Sequence, residues 1–131
     1  MRLEEFGEVI RLQTPVRTVR EAAQAIGVSE DKIVKTIVVY CNGEFRAYVI
    51  RGTKRLNTKL LGCRLATPDE VFTATGYSVG GVPPVLNIPV YIDRELLRED
   101  YVYGGGGDEY SLLKFKPIEL VKRGFVTPIE L

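Results

Sequence analysis

A chain of 131 residues, 45% apolar and 27% charged, fits one globular domain with a buried core of its own. A net charge of +1 excludes a polycation that holds nucleic acid by bulk attraction, and no apolar run reaches the roughly eighteen residues of a membrane span. The absence of histidine excludes Ser-His-Asp and Cys-His catalysis, leaving Lys, Asp, Glu, Tyr, backbone groups, water or the substrate itself to do any chemistry.

Along the chain, the spacing of Leu3, Phe6, Val9 and Ile10 predicts a helix over residues 2–12, ended by Pro15. The same segment carries acidic residues and no long apolar centre, so a secretory signal is not expected. Thr18 and Glu21 read as a capping box for a helix through Ala22, Ala23 and Ile26 that stops at Gly27. Ser29 caps one further turn. Residues 35–41 and 44–50 are rich in β-branched and aromatic types and are joined by Asn42-Gly43, which accept the positive φ of a tight hairpin turn.

Asn57 reads as the cap of a short helix ending near Gly62, and residues 64–66 as a short strand. Thr67, Pro68 and Glu70 form a capping box with proline at the first helical position, for a helix ending at Gly76. Strands are expected at 89–92, 101–103 and 110–115, and a last helix from Pro117 to Gly124. This order implies an α+β fold over residues 1–131, a mixed sheet with short helices packed around it as one domain. Cys41 and Cys63 lie far apart in sequence, fit no zinc spacing, and are expected as buried thiols in a reducing cytoplasm, with a disulfide between them as the alternative.

Four features carry candidate chemistry. Between residues 45 and 64 stand Arg46, Arg51, Lys54, Arg55, Lys59 and Arg64 with no carboxylate. Such a stretch holds a phosphate backbone, or else is a solvated face balanced by acids elsewhere in the fold. In the segment 75–84, Gly80 and Gly81 open the backbone to close approach while Pro83 and Pro84 stiffen the exit. That suits a small pocket or a tight crossover. Gly104 to Gly107 lack both the Gly-Lys-Ser/Thr of a P-loop and the helix of a dinucleotide fingerprint, and read as a hairpin turn. Lys35, at the mouth of the most apolar strand, is either a snorkelling side chain or an ammonium at a pocket rim that stabilises a phosphate or a developing oxyanion. Asp93, Asp108 and Glu109 are scattered, and no metal or cofactor is expected.

Val34-Lys35-Thr36-Ile37-Val38-Val39 with the Asn42-Gly43 turn, the segment 56–66, the Gly80 to Pro84 loop and the Gly104-Gly105 pair occur together in an order that resembles the YbaK and prolyl-tRNA-synthetase-associated editing domain family. The resemblance runs from about residue 15 to 121. It implies a partly barrel-like mixed sheet and hydrolysis of the ester between an amino acid and tRNA. Lys35 matches the functionally important lysine of the family. Gly80, Gly81, Val82 and Pro84 fall in its aminoacyl-pocket loop, and Gly104 and Gly105 in a second pocket-lining segment.

The expected substrates are small amino acids such as Ala, Cys or Ser on tRNA-Pro or tRNA-Cys. Arg46, Arg51, Lys54, Arg55 and Lys59 are expected on the acceptor end, with an aminoacyl-tRNA synthetase as a further partner and the cytoplasm as location. Pro83, Val34, Tyr103 and residues 106–109 depart from common family residues, which leaves the identity of the amino acid open. The alternatives are a nucleic-acid or nucleotide-binding module without catalysis and an accessory domain of a synthetase.

Overall fold

The N-terminal segment does not form the helix its spacing predicts. In the computed structural model, which describes residues 2–131, Leu3–Glu5 make a single 3₁₀ turn and Glu8–Arg11 form strand β1. Gly7 accounts for the change: it breaks the helical run, and a side chain there would strike the carbonyl group of Lys114. Phe6 enters the core, while Val9 and Ile10 turn to opposite faces of a strand.

Helix α1 (Val19–Ile26) opens where Thr18 Oγ1 accepts from the Glu21 N–H at 3.0 Å and ends at Gly27 with φ 70°. The reciprocal half of the expected capping box closes one residue upstream, because the Glu21 carboxylate accepts from the Arg17 N–H at 2.9 Å. After the 3₁₀ turn Glu30–Lys32, capped by Ser29, the chain enters β2 (Val34–Cys41). Asn42 (φ 49°) and Gly43 (φ 86°) turn it back into β3 (Glu44–Arg51), which pairs with β2 from end to end.

Strand β4 (Cys63–Leu65) joins the other edge of β2, pairing Val39 with Leu65, Tyr40 with Arg64 and Cys41 with Cys63. That register corrects the expected pair of free thiols. It sets the two cysteines directly opposite one another with Cα atoms 4.4 Å apart, and they are joined in a disulfide. Asn57 accepts from the Leu60 N–H at 3.2 Å, but the residues after it form turns and no helix.

Helix α2 (Pro68–Thr75) has the full Thr67–Glu70 capping box and ends at Gly76 (φ 81°). Strand β5 (Val90–Asp93) runs parallel to β3 and leads into a 3₁₀ helix, Arg94–Arg98. Strands β6 (Val102–Gly105) and β7 (Ser111–Phe115) form an antiparallel pair, α3 (Pro117–Lys122) follows, and β8 (Thr127–Ile129) adds in parallel to β5.

The strands divide into two sheets, β1-β7-β6 and β4-β2-β3-β5-β8, in an α+β arrangement that does not close into a barrel. A parallel bridge between Ile33 and Tyr103 links β2 to β6. Val34, Val38, Val49 and Ile92 from the larger sheet pack on Val102, Leu113 and Phe115 from the smaller, with Leu96 and Leu120 closing the core. Removing such a side chain costs about 2–5 kcal/mol, so this layer fixes how the sheets sit against each other. Helix α1 covers the far face of the small sheet through Ala22 and Ala23 against Tyr103 and Leu112. On the outer face of the large sheet, Val39, Cys41 and Tyr48 are covered by Leu56 and Leu61.

Candidate functional site

Beyond the Ile33–Tyr103 bridge, β2 and β6 are no longer paired, and the wedge between them is a cavity of about 470 Å³. Its walls are residues 34–38 of β2, Thr18, Val19 and Ala22 at the start of α1, Leu65, Ala66 and Val71, the loop residues Val79, Gly80 and Val82, and Gly104, Gly105 and Leu112. The lining is mostly aliphatic and contains no carboxylate. A small uncharged group is stabilised there by burial, and an anion meets no repulsion.

The edge of β2 inside the wedge is free. Ala66 N–H donates to the Val38 carbonyl, which directs Val38, and by the two-residue period Thr36, toward the cavity side. The ladder to β4 begins only at Val39, so the backbone N–H and C=O of Thr36 have no strand partner. The Thr36 hydroxyl is buried and also lacks a hydrogen-bond partner.

Lys35 lines the cavity from the outer face of β2, which it shares with Ile37 and Val39. Among the described residues its ammonium has no carboxylate partner. Burial first, and then repulsion from the nearby Arg55 guanidinium, push its pKa below the usual lysine range. Arg17, also on the cavity, is tied to Glu109 at 3.0 Å.

The Gly80 loop has one residue free to face a ligand and one committed to packing. Gly80 has φ 98° and open space where a side chain would stand, and its N–H makes no hydrogen bond among the described residues. The Val82 N–H is likewise unbonded, whereas Gly81 N–H donates to Ser78 O at 3.0 Å. A side chain on Gly81 would strike the backbone of Asp108, and one on Gly105 the carbonyl of Val82. At Gly104 a Cβ would lie 3.2 Å from a Val34 methyl and 3.3 Å from the Phe115 ring. Gly81 and Gly105 let the loop lie flat against the end of β6 and the turn after it, while Gly104 makes room for Val34 and the Phe115 ring. Pro84 is fully buried behind them.

The cavity therefore gathers Lys35, Gly80, Val82, Gly104 and Gly105, with Gly81 and Pro84 supporting the wall from behind. Thr18, Thr36, Leu65, Val71 and Leu112 join them without any motif to announce them, because only strand register and sheet docking bring them in.

The basic stretch separates into two groups. Arg46 bonds Glu44 at 2.7 Å, and Arg64 makes a bidentate pair with Glu70 at 2.8 and 2.9 Å. Arg51 lies between Glu95 and Glu99, both at 2.8 Å, while Lys54 reaches Asp93 and Glu95 at 3.2 and 3.0 Å. This network holds Arg51 charged and the Glu95 and Glu99 carboxyls below their usual range, each chiefly through its side-chain hydrogen bonds. Arg55 and Lys59 are exposed and, among the described residues, have no carboxylate partner. Among the described residues no cluster of three metal-ligating side chains forms, and no helix is long and apolar enough to cross a membrane.

Residues 13–123 match the family described as the aminoacyl-tRNA editing domain. The chain is 40% identical over 114 residues to a proline–tRNA ligase of Solidesulfovibrio magneticus and 37% identical over 111 residues to that of Moorella thermoacetica. These matches cover 79% and 77% of the chain but only 20% and 19% of the ligases, so the chain spans about a fifth of the length of these curated relatives.

Among solved structures, the hypothetical protein APE2540 superposes with a TM-score of 0.86 at 49% identity, covering 94% of this chain and 89% of that one. A candidate trans-editing enzyme for prolyl tRNA synthetase superposes with a TM-score of 0.83 at 36% identity, covering 95% and 85%.

Proposed function

The chain belongs to the aminoacyl-tRNA editing domain family, and from that premise we propose that it acts on its own as a deacylase of mischarged tRNA. The observation that carries the reading is an unpaired ammonium, Lys35, at an apolar cavity lined also by Gly80 and Val82, whose N–H groups are unbonded among the described residues. The aminoacyl group enters the wedge, and water or a substrate hydroxyl adds to its ester carbonyl. The carbonyl oxygen takes up negative charge, which Lys35 and the two N–H groups stabilise. The C–O bond to the ribose then breaks, the ribose oxygen takes a proton, and, with water as nucleophile, free amino acid and tRNA leave. An aminoacyl ester is already activated, so orientation and charge stabilisation suffice without histidine.

The aliphatic lining favours small uncharged amino acids, with Ala, Cys and Ser on tRNA-Pro or tRNA-Cys as the substrates proposed, in the cytoplasm where translation runs. Arg55 and Lys59 take the acceptor-end phosphates first. Arg46, Arg51 and Lys54 contribute only if they release the carboxylates that now hold them. A synthetase that supplies tRNA selectivity is the further partner proposed.

The test is release of labelled amino acid from a panel of mischarged tRNAs by wild type and Lys35→Ala. The expected result is release by wild type and a loss of about 10²-fold or more in the variant, at unchanged melting temperature. Because burial and Arg55 lower the Lys35 pKa, its ammonium is lost at a lower pH than that of an exposed lysine. The wild-type rate therefore declines on the alkaline side below the ordinary lysine range, and Lys35→Arg shifts that decline upward. No release from any tRNA, with RNA binding intact, overturns the enzyme and leaves a binding module.

A further inference from the structure

The segment between β3 and β4 carries Arg55 and Lys59, the two cations of the basic stretch that no carboxylate holds among the described residues. Little fastens it to the fold. Among the described residues its backbone hydrogen bonds from residue 55 to 62 are local, with Leu61 and Cys63 N–H donating to Thr58 O and Gly62 N–H to Lys59 O. Leu56 and Leu61 pack on the outer face of the large sheet, while Leu60 is 85% exposed. At its far end the segment enters β4, an edge strand of three residues. The one covalent tie at that end is the Cys41–Cys63 disulfide.

The two sulfurs differ in access. Cys41 is wholly buried, whereas Cys63 is partly exposed between exposed Gly62 and Arg64. An attacking thiolate therefore meets the bond at Cys63 Sγ. Outside hyperthermophiles, intracellular disulfides are usually transient and redox-sensing. In the cytoplasm proposed for this chain, the bond is set to open and close with the thiol pool.

We infer that the Cys41–Cys63 pair is a thiol–disulfide exchange site whose state sets how tightly the protein holds tRNA phosphates. This rests on the editing reading for the partner, tRNA, and adds to it a control by small or protein dithiols. In the reducing direction a dithiol supplies both electrons. Its thiolate bonds to Cys63 Sγ, the Cys41–Cys63 bond breaks, and Cys41 Sγ leaves with the electron pair and takes up a proton. The second thiolate of the reductant then attacks the reductant's own sulfur in the mixed disulfide. Cys63 Sγ leaves and is protonated, and the reductant closes as a cyclic disulfide. Without the bond, the segment gains freedom, and Arg55 and Lys59 no longer stay in a fixed relation to Lys35, beside which Arg55 now stands. Fewer cations then meet one phosphate backbone together.

The experiment titrates uncharged tRNA-Pro into the full chain, oxidised and after treatment with a dithiol, at several salt concentrations. Thiol titration verifies the two states, and circular dichroism verifies that the reduced protein is folded. The oxidised protein is expected to bind about tenfold more tightly at low salt. Its slope of log affinity against log salt is expected to become shallower on reduction, from about −2 to about −1, as about two phosphate contacts are lost. Arg55→Ala with Lys59→Ala is expected to show the shallow slope while still oxidised, and reduction to change its affinity by less than about twofold. Cys63→Ser is expected to bind like reduced wild type and to ignore the dithiol.

Equal affinity and slope in the two states of wild type overturn the exchange site. So does an equal loss on reduction in the Arg55 and Lys59 double variant, which traces the effect to a general loosening of the sheet. Unfolding on reduction overturns it too and makes the bond a structural staple only. Amino acid release is a separate readout: binding that depends on the redox state, without release from any mischarged tRNA, sinks the deacylase and leaves the exchange site standing.

Discussion

Gly105 lines the cavity and yet serves mainly to let two pieces of backbone touch. A methyl group there would strike the Val82 carbonyl, whereas one on Gly80 would meet only open space and a positive φ. Gly105→Ala is therefore expected to destabilise the fold by about 1–3 kcal/mol, the range of overpacked sites, and to lower the melting temperature more than Gly80→Ala does. Thermal unfolding of both variants checks the order; equal effects would mean that the loop is free to shift away from β6. At this scale Lys35 and the glycine loop were legible in the sequence, because a lone cation in an apolar strand and a Gly-Gly-x-Pro-Pro run break local patterns. Thr36 and Leu65 were not. A threonine or leucine in a β-rich run conforms to its surroundings, and only the missing strand partner in the wedge gives either one a special position.

Among the elements, those with local punctuation followed from sequence and those without it did not. Helix α2 is set by the Thr67, Pro68, Glu70 and Gly76 signals, and the hairpin by Asn42-Gly43. Strand β1 was hidden by apolar residues whose spacing suits a helix equally well, and β8 by Pro128 within only three residues. Both exist because a neighbouring strand completes them, β7 for the first and β5 for the second. The disulfide belongs here too, since it depends on β4 pairing with β2 in one register. It closes the chain between residues separated by 22 in sequence and holds the segment bearing Arg55 and Lys59 to the sheet. Its removal by Cys63→Ser or by a reductant is expected to lower stability by about 3 kcal/mol, measured by denaturant titration with and without reductant. A difference well below 1 kcal/mol would show that Leu56 and Leu61 hold the segment unaided.

For the molecule as a whole, the basic stretch is less available than its composition suggests. Arg46, Arg51, Lys54 and Arg64 are bound to carboxylates, so Arg55 and Lys59 remain of it, with Lys35 from the strand before it as a third unpaired cation. With about three cations on single-stranded phosphates, log affinity for tRNA should fall with log salt at a slope of about −2. A slope beyond about −4 would require the Arg51 and Lys54 network to open on binding.

The cavity also has a place in the order of assembly. Its walls come from residues 17–22, 33–38, 65–71, 79–82 and 104–112, and they belong to both sheets. The β2–β3 hairpin closes with two residues between its strands, whereas the wedge needs β6 brought back across more than fifty intervening positions. Its geometry is complete only when the two sheets have docked. A chain that has folded its hairpin but not docked its second sheet keeps Lys35 in place and has no site.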